Sequence, residues 1–411
     1  MTSQTVQTVV VGGGQAGLAT SYHLSRMGKE HVVLEQADQA GNAWRNGRWD
    51  SFTLVTPNWS FRLPGAEYQG GEPGAFMPRD EVVARFERYV EDFSLPVRYG
   101  VRATSVEPNA EDDGYLVRTD VETLEAANVV VATGLFQHPK VLPLSAEIPA
   151  EIDQLQSGHY RNPERLRDGA VLVVGSAQSG CQIAQELYQS GHKVYLCVGG
   201  AGRVPRRYRG RDIFEWFDAS GFLDRTVNDL PSAKAKFAGN PHVSGRDGGQ
   251  NLNLHQFARD GVVLLGHLRG IDGGTIHIAP DLRESLAKAD AFEAQITSMI
   301  DRFIVHAGLD APRESLPALQ DGFLADEITD LELASAGITT VVWALGYAFD
   351  FGLVKLPVFD EDGYPIQERG VTGYPGLFFV GMPWLDKWKS GLLIGVGEHA
   401  EHIASAIAAR A

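Results

Sequence analysis

Residues 8–35 hold the densest chemical signal in the chain. An apolar β-branched run at 9–11 turns through Gly12-Gly13-Gly14, enters a helix-like segment at Gln15, and is followed by a second apolar run that ends on Glu35. The spacing Gly12-x-Gly14-x-x-Gly17 permits a tight turn, close approach of backbone to a pyrophosphate, and close packing of helix on strand. The helix start then offers unpaired N–H groups to phosphate oxygens. Glu35 lies 23 residues after Gly12 (35 − 12), where a carboxylate accepts hydrogen bonds from a ribose diol. Strand, glycine turn, helix and acid occur in the order a dinucleotide site requires.

The pattern returns. Gly12, Gln15, Gly17, Leu24 and Gly28 superpose on Gly175, Gln178, Gly180, Leu187 and Gly191 at a constant offset of 163 (175 − 12). The second fingerprint is Gly175-Ser176-Ala177-Gln178-Ser179-Gly180, with Ala in the middle position, and Val198 stands where the first unit has Glu35. Losing that acid removes a group that would repel a 2′-phosphate. Arg203, Arg206, Arg207, Arg209 and Arg211 follow within nine residues. Guanidinium forks suit phosphate, so the run reads as selection for NADP(H). The alternative is a basic loop paired to neighbouring acids.

The elements that must position these groups follow from periodicity. Residues 79–93 and 282–306 carry apolar side chains at helical spacing, and 129–131 and 338–344 read as buried strands ending in Ala132-Thr133-Gly134 and Leu345-Gly346. Residues 262–268 and 275–278 read as a hairpin around Asp272-Gly273-Gly274. Gly-rich residues 390–397 open a last helix. Trp44, Trp49 and Trp59 fall within sixteen residues and form either an aromatic wall beside a flat ring or the anchors of a packed loop.

Bulk composition fits a globular protein of two or three domains: 411 residues, 44% hydrophobic and 21% charged. A net charge of −16 argues against nucleic acid or an anionic membrane surface as partner. Cys181 and Cys197 form no CxxC pair and read as core residues, which disfavours a dithiol reductase. No signal peptide or bilayer-spanning stretch is evident, so a cytoplasmic location is the default, and a homo-oligomer is compatible with the sequence. His399 and His402 lie three apart without further ligands at a fitting spacing, so no metal is expected.

Two dinucleotide units imply two nucleotides. The economical pairing is a flavin in the first and a nicotinamide delivered by the second, with the flavin carrying the difficult chemistry. The expected fold is α/β, with two Rossmann-like domains arranged as in glutathione-reductase-like flavoproteins. Residues 1–150 and 332–411 form the FAD domain, and the NADP(H) domain, 151–331, is inserted in it. The candidate FAD site comprises Gly12, Gly14, Gln15, Ala16, Gly17, Glu35, Gln36, Trp44, Arg45, Thr56, Val106, Ala132, Thr133, Gly134, Gly381 and Leu392. The candidate NADP site comprises residues 175–180 with Arg203, Arg206 and Arg207.

The motifs GGGQAG (12–17), GNAW (41–44), RWDSFTLVTPNW (48–59), VVVATG (129–134), YRNP (160–163), VLVVGSAQSG (171–180), RVPRRYRGRD (203–212), ALGY (344–347) and FFVGMPWL (378–385) span nearly the whole chain. Together they resemble the class B flavoprotein monooxygenases, and more closely the bacterial flavin-containing monooxygenases grouped with CzcO-like and YUCCA-type enzymes. Gln156 stands where that family often has His, ALGY replaces its usual ATGY, and the FxGxxxHxxxW signature of the Baeyer–Villiger subgroup is absent. The resemblance implies FAD reduced by NADPH, reaction with O2 to a C4a-(hydro)peroxyflavin, and oxygenation of a small N or S nucleophile or a carbonyl substrate. It implies a catalytic Asn58 that helps hold NADP+ and the peroxide, with Trp44 and Arg45 at the flavin and Trp384 and Trp388 on the substrate side. A flavin reductase or oxidase without productive oxygenation, or a non-catalytic nucleotide-sensing flavoprotein, are the alternatives.

Overall fold

A computed structural model describes residues 4–110 and 113–410. The chain begins with β1 (Gln4–Val11), α1 (Gln15–Arg26) and β2 (His31–Glu35), continues through α2 (Arg79–Asp92) and β3 (Val97–Tyr99), and adds an antiparallel meander, β4 (Ala103–Pro108) and β5 (Tyr115–Thr119), before β6 (Thr123–Val131). It then enters a second unit: β7 (Asp153–Gln156), β8 (Ala170–Val174), α3 (Gln178–Gln189), β9 (Val194–Cys197), β10 (Val263–Leu265), α4 (Leu282–His306) and β11 (Ile338–Trp343). It returns to the first with β12 (Leu377–Phe379) and α5 (Val396–Ala408).

Two sheets result. In the first, β12-β6-β1-β2-β3 run parallel, with β5 paired to the start of β6 and short strands at 367–372 on the far edge. In the second, β10-β9-β8-β11-β7 are parallel throughout. A strand covered on both faces reads as a continuous apolar run, and the valines divide by period two. Val10, Val33 and Val130 face α1, α2 and α5, while Val9, Val11, Val32 and Val131 face the meander. In the second sheet Val171, Val173 and Leu196 face α3, while Leu172, Val174 and Tyr195 face the hairpin Leu268–Asp272 and Thr275–Ile278.

Two sequence expectations need correction. The boundary at 332 does not follow sheet membership. β11 lies between β8 and β7 at the heart of the second sheet, so that sheet draws on the chain through Trp343. Residues 263–265 belong to the same parallel sheet, and the hairpin begins only at Leu268, with Asp330–Glu332 as its third strand. The chain crosses between the units twice, and the two crossings meet as a short antiparallel pair, His138–Pro139 with Tyr347–Ala348.

His399 on α5 is buried and its Nε2 lies 3.0 Å from the Arg369 carbonyl oxygen. Burial lowers its pKa from 6.5 to about 4. Below pH 6.5 the unfolded chain takes up this proton and the folded chain does not, so stability falls as pH drops from 6.5 towards 4. The full effect is about 3 kcal/mol at ~1.4 kcal/mol per pH unit. Urea unfolding at pH 7 and pH 5 is expected to show a smaller loss of stability on acidification in His399→Gln than in the parent chain.

Candidate functional site

The two glycine turns are built alike. At Gly12, φ is +110°, and a Cβ there would stand 2.7 Å from the Ala132 carbonyl oxygen at the end of β6. A Cβ on Gly17 would stand 1.9 Å from the Gly12 carbonyl oxygen. In the second unit Gly175 has φ +106° and a Cβ on it would stand 2.6 Å from the Ala344 carbonyl oxygen, while a Cβ on Gly180 would stand 1.8 Å from the Gly175 carbonyl oxygen. Neither helix has a side-chain cap or an acid in its first turn, so the first N–H groups of α1 and α3 remain open to an anion. A Cβ on Gly14 would meet nothing within 4 Å, which leaves room for a phosphate against the backbone.

Around the start of α1 most of the candidate flavin residues converge. Gly13 N–H donates to Glu35 Oε2 and Ala37 N–H to Oε1, both at 2.8 Å, which fixes the carboxylate beside the turn. Gln15 Nε2 donates to the Gly391 carbonyl oxygen at 2.6 Å, next to Leu392. A Cβ on Gly381 (φ +83°) would press on the Ala16 methyl at 2.3 Å. Gln137 bridges Thr133 and the Gly134 carbonyl oxygen at 3.1 and 2.8 Å. Gln36 points into solvent one residue beyond Glu35. The second turn repeats the device: Gln178 Nε2 donates to the Val243 carbonyl oxygen (2.8 Å), while Ser176 Oγ accepts from Gly199 N–H (2.8 Å). Ala177 and Ser179 are part-exposed at the start of α3.

The segment from Trp44 to Asn58 joins the two units. Trp44 packs against both cores, and Trp49 and Phe52 are buried in the second unit's core against Tyr160. The aromatic residues here are therefore partly anchors, as the blander reading of the sequence held. Trp59 packs with Trp384, Trp388, Phe214 and Phe217 in an aromatic cluster that also touches Leu392. Thr56 is part-exposed, and Arg45 pairs with Glu87 on α2 at 2.6 Å. Asn58 is 6% exposed. Its Nδ2 donates to the Glu72 carbonyl oxygen at 3.0 Å, and its Oδ1 is buried with no partner among the described residues. A buried amide oxygen left open is costly unless a ligand or water serves it.

Two groups of candidate residues have polar groups engaged within the protein. Val106 is fully buried, with its N–H donated to the Leu353 carbonyl oxygen (2.7 Å) and its own carbonyl oxygen accepting from Lys355 N–H (2.8 Å). In the basic run, Arg203 is buried between Asp290 and Glu293, and Asp290 also meets buried His255. Arg206 is 2% exposed, paired to buried Asp212, bonded to the Val55 carbonyl oxygen (2.7 Å) and stacked on Phe76. Burial pushes its pKa below the ordinary value, against the pull of Asp212. Arg209 pairs with Asp301 at 2.6 Å. Arg207 is exposed and donates to the Gly248 carbonyl oxygen at 2.8 Å. Arg203 and Arg206 are thus paired with neighbouring acids, the arrangement that the alternative reading of the run describes.

Comparison with known proteins agrees with this architecture. Residues 9–210 match the model of a pyridine nucleotide-disulphide oxidoreductase family. A CzcO-like oxidoreductase of Geobacillus kaustophilus is 30% identical over 404 residues, covering 98% of each chain. The chain belongs to the CzcO-like oxidoreductases. The rice indole-3-pyruvate monooxygenase YUCCA1 is 29% identical over 208 residues, half of this chain and 51% of its own. The flavin-containing monooxygenase of Stenotrophomonas maltophilia shares the fold, with a TM-score of 0.65 at 19% identity and 99% of each chain covered.

Some partners in this oxidoreductase carried no local signal. Asp212 and Asn251 hold Arg206, and Glu186 accepts from Ser51 (2.5 Å) and Tyr160 (2.7 Å) across the junction. The carboxylates were visible only as acids of ordinary type, and nothing in their spacing marks them as buried. Both thiols are buried, Cys181 with its pKa pushed up and Cys197 with its pKa pushed up to about 12, which removes them from thiolate chemistry at neutral pH. Removing one partner of a buried pair strands the other charge. Arg206→Ala is therefore expected to lower the unfolding free energy by about 3 kcal/mol or more, and Arg207→Ala by no more than about 0.5 kcal/mol, as read by urea denaturation.

Proposed function

We propose that the chain is an NADPH-dependent FAD monooxygenase that transfers one oxygen atom of O2 to a small soft nucleophile, N or S, or to a carbonyl substrate. The observation that carries the reading is the pair of matched, uncapped glycine turns, one with Glu35 beside it and the other with Val198. Glu35 suits the ribose diol of FAD in the first unit, and an acid-free end of β9 suits the phosphorylated ribose of NADPH in the second. Residues up to about 150 and after about 344 then serve FAD, and the span between them NADPH. Family membership and the monooxygenases among the similar proteins support the same assignment.

The donor set fits both groups. The open N–H groups of α1, with Gly14 bare, would cradle the FAD pyrophosphate. Gly381, Ala16 and Leu392 would bound the ring system, with Trp44 at its edge. For the 2′-phosphate, two side chains other than Arg203 and Arg206 stand near the end of β9. His267 and Arg269 follow β10 and share Asp281 at 2.9 and 3.8 Å, and His267 Nε2 lies 3.8 Å from where a Gly199 Cβ would stand.

Bound FAD would accept hydride from NADPH and activate O2 for transfer of one oxygen atom. The protein's own work is orientation and exclusion of water. Asn58 presents an unpaired Oδ1 from a buried position and has its Nδ2 held in place. That oxygen can hold an N–H or O–H donor at the junction. The aromatic cluster of Trp59, Phe214, Phe217, Trp384 and Trp388 supplies an apolar wall. Arg225 lies 3.7 Å over the Phe222 ring and 6.0 Å from that of Trp384, at the edge of this wall.

The purified protein is expected to carry FAD and to oxidise NADPH, with amines, thioethers, ketones and 2-oxo acids as a substrate screen. Product analysis with peroxide formation subtracted identifies oxygenation. A protein that takes up no flavin on reconstitution overturns the reading. Asn58→Ala is expected to retain flavin reduction by NADPH but to shift at least about ten-fold from oxygenated product towards hydrogen peroxide, the scale of one lost transition-state contact. Coupled turnover at the parent ratio removes Asn58 from the mechanism.

A further inference from the structure

Most arginines near the junction are neutralised. Arg45 has Glu87, Arg79 has Asp50, Arg203 has Asp290 and Arg206 has Asp212. Arg48 differs. Its Nη1 donates to the Gly47 carbonyl oxygen at 2.8 Å, and no carboxylate among the described residues pairs with it. Its guanidinium lies 5.5 Å from the Trp44 ring centre and 5.4 Å from that of Phe52, and the side chain is part-exposed. Burial pushes its pKa below the ordinary value and the neighbouring Tyr347 acts the other way, but a guanidinium remains charged at neutral pH. A part-buried cation with no carboxylate beside it is open to an anionic ligand.

Its surroundings say which ligand. A Cβ on Gly158 would stand 2.7 Å from Tyr347 Oη and 4.0 Å from the Gly47 carbonyl oxygen, so these three groups meet. Gly158 follows β7, and Tyr347 follows β11. Arg161, just past Gly158, donates to the Asn46 carbonyl oxygen at 2.7 Å and holds the loop that bears Arg48 on the second unit. Arg48 therefore stands over the carboxyl ends of β7 and β11. The second glycine turn leaves β8, next to β11, and a Cβ on Gly175 would meet the Ala344 carbonyl oxygen. A dinucleotide in such a unit lies across the strand ends at the point where the order reverses. Its adenosine half lies on the β9–β10 side, and its other half passes over β11 and β7.

We propose that Arg48, a residue of the first unit, binds the pyrophosphate of the pyridine dinucleotide on its nicotinamide side. The charge that holds NADPH in the crevice is then split between the start of α3 and a guanidinium reaching across from the flavin unit, with Trp44 and Phe52 as its stacking platform. The role rests on the reading that the second unit takes NADPH. It also gives the Arg48-Trp49 step a purpose, since Trp49 anchors the loop in the second core while Arg48 faces the crevice.

The test uses FAD-loaded parent, Arg48→Gln and Arg48→Lys proteins, with calorimetric titration of NADP+ and of 2′,5′-ADP, which lacks the nicotinamide-side phosphate. Arg48→Gln is expected to weaken NADP+ roughly ten-fold, a fair loss for one charge-assisted contact. Affinity for 2′,5′-ADP stays within about two-fold, FAD content per chain is unchanged, and Arg48→Lys falls between. Parent-like NADP+ affinity in Arg48→Gln overturns the role. So does equal weakening of both ligands, which would mark a general distortion, and so does loss of FAD with NADP+ affinity kept, which would assign the guanidinium to the flavin. A parent protein that holds FAD and binds neither ligand overturns the dinucleotide reading of the second unit as well.

Discussion

Everything in this molecule depends on how closely α1 and α3 approach the turns that precede them. Gly17 and Gly180 sit so near the carbonyl oxygens of Gly12 and Gly175 that no side chain fits between helix and strand end. That contact fixes the direction of each helix axis. It aims an uncapped N-terminus at the crevice, where its N–H groups face anions rather than solvent. The carbonyl oxygens of Ala132 and Ala344 back the turns from the neighbouring strands, so β6 and β11 are as necessary to the two cradles as the glycines themselves.

The charge balance explains what became of the basic run. With 52 Asp and Glu against 36 Lys and Arg, an arginine in this chain meets a carboxylate more readily than it is left for a ligand. Asp212, Asp290 and Glu293 are buried or part-buried, and each would be costly unpaired. Arg203 and Arg206 meet that need and at the same time tie the loop after β9 to α4 and to the segment around Val55. Clustering of guanidinium groups along a sequence is therefore weak evidence for a phosphate site unless their acids can also be located.

What was legible was what is local. The valine runs, the glycine spacing and the 163-residue repeat are short-range patterns, and each specifies a strand, turn and helix without reference to the rest of the chain. The place of 338–343 was not legible in that way. It is a buried strand by its residues, but whether it joins the first sheet or the second is decided by neighbours more than 150 residues away, β7 and β8. The surroundings of Val106 were hidden for a related reason: the use of its backbone by residues 353–355 depends on a loop that no nearby pattern announces. Asn58 was singled out through the family resemblance, against the plain reading of a turn residue after Pro57. The reason for interest in it, an amide oxygen buried and unserved, exists only in three dimensions.

The groups that could do chemistry unaided are largely committed elsewhere. Burial raises both thiols out of the reactive range. His255 is enclosed by Asp290 and Gly322, His242 sits 3.0 Å from the Ala201 carbonyl oxygen, and His399 sits beside that of Arg369. At the junction between the units the groups left open among the described residues include an amide oxygen on Asn58, the indole N–H of Trp59, a guanidinium on Arg48 and a set of aromatic faces. None of these is a strong acid, base or nucleophile near neutral pH. They can hold an anion, orient a hydrogen-bond donor and keep water out. A site so furnished makes sense when the reactive atoms arrive on bound cofactors, and it leaves the choice of substrate to the shape and polarity of the aromatic wall.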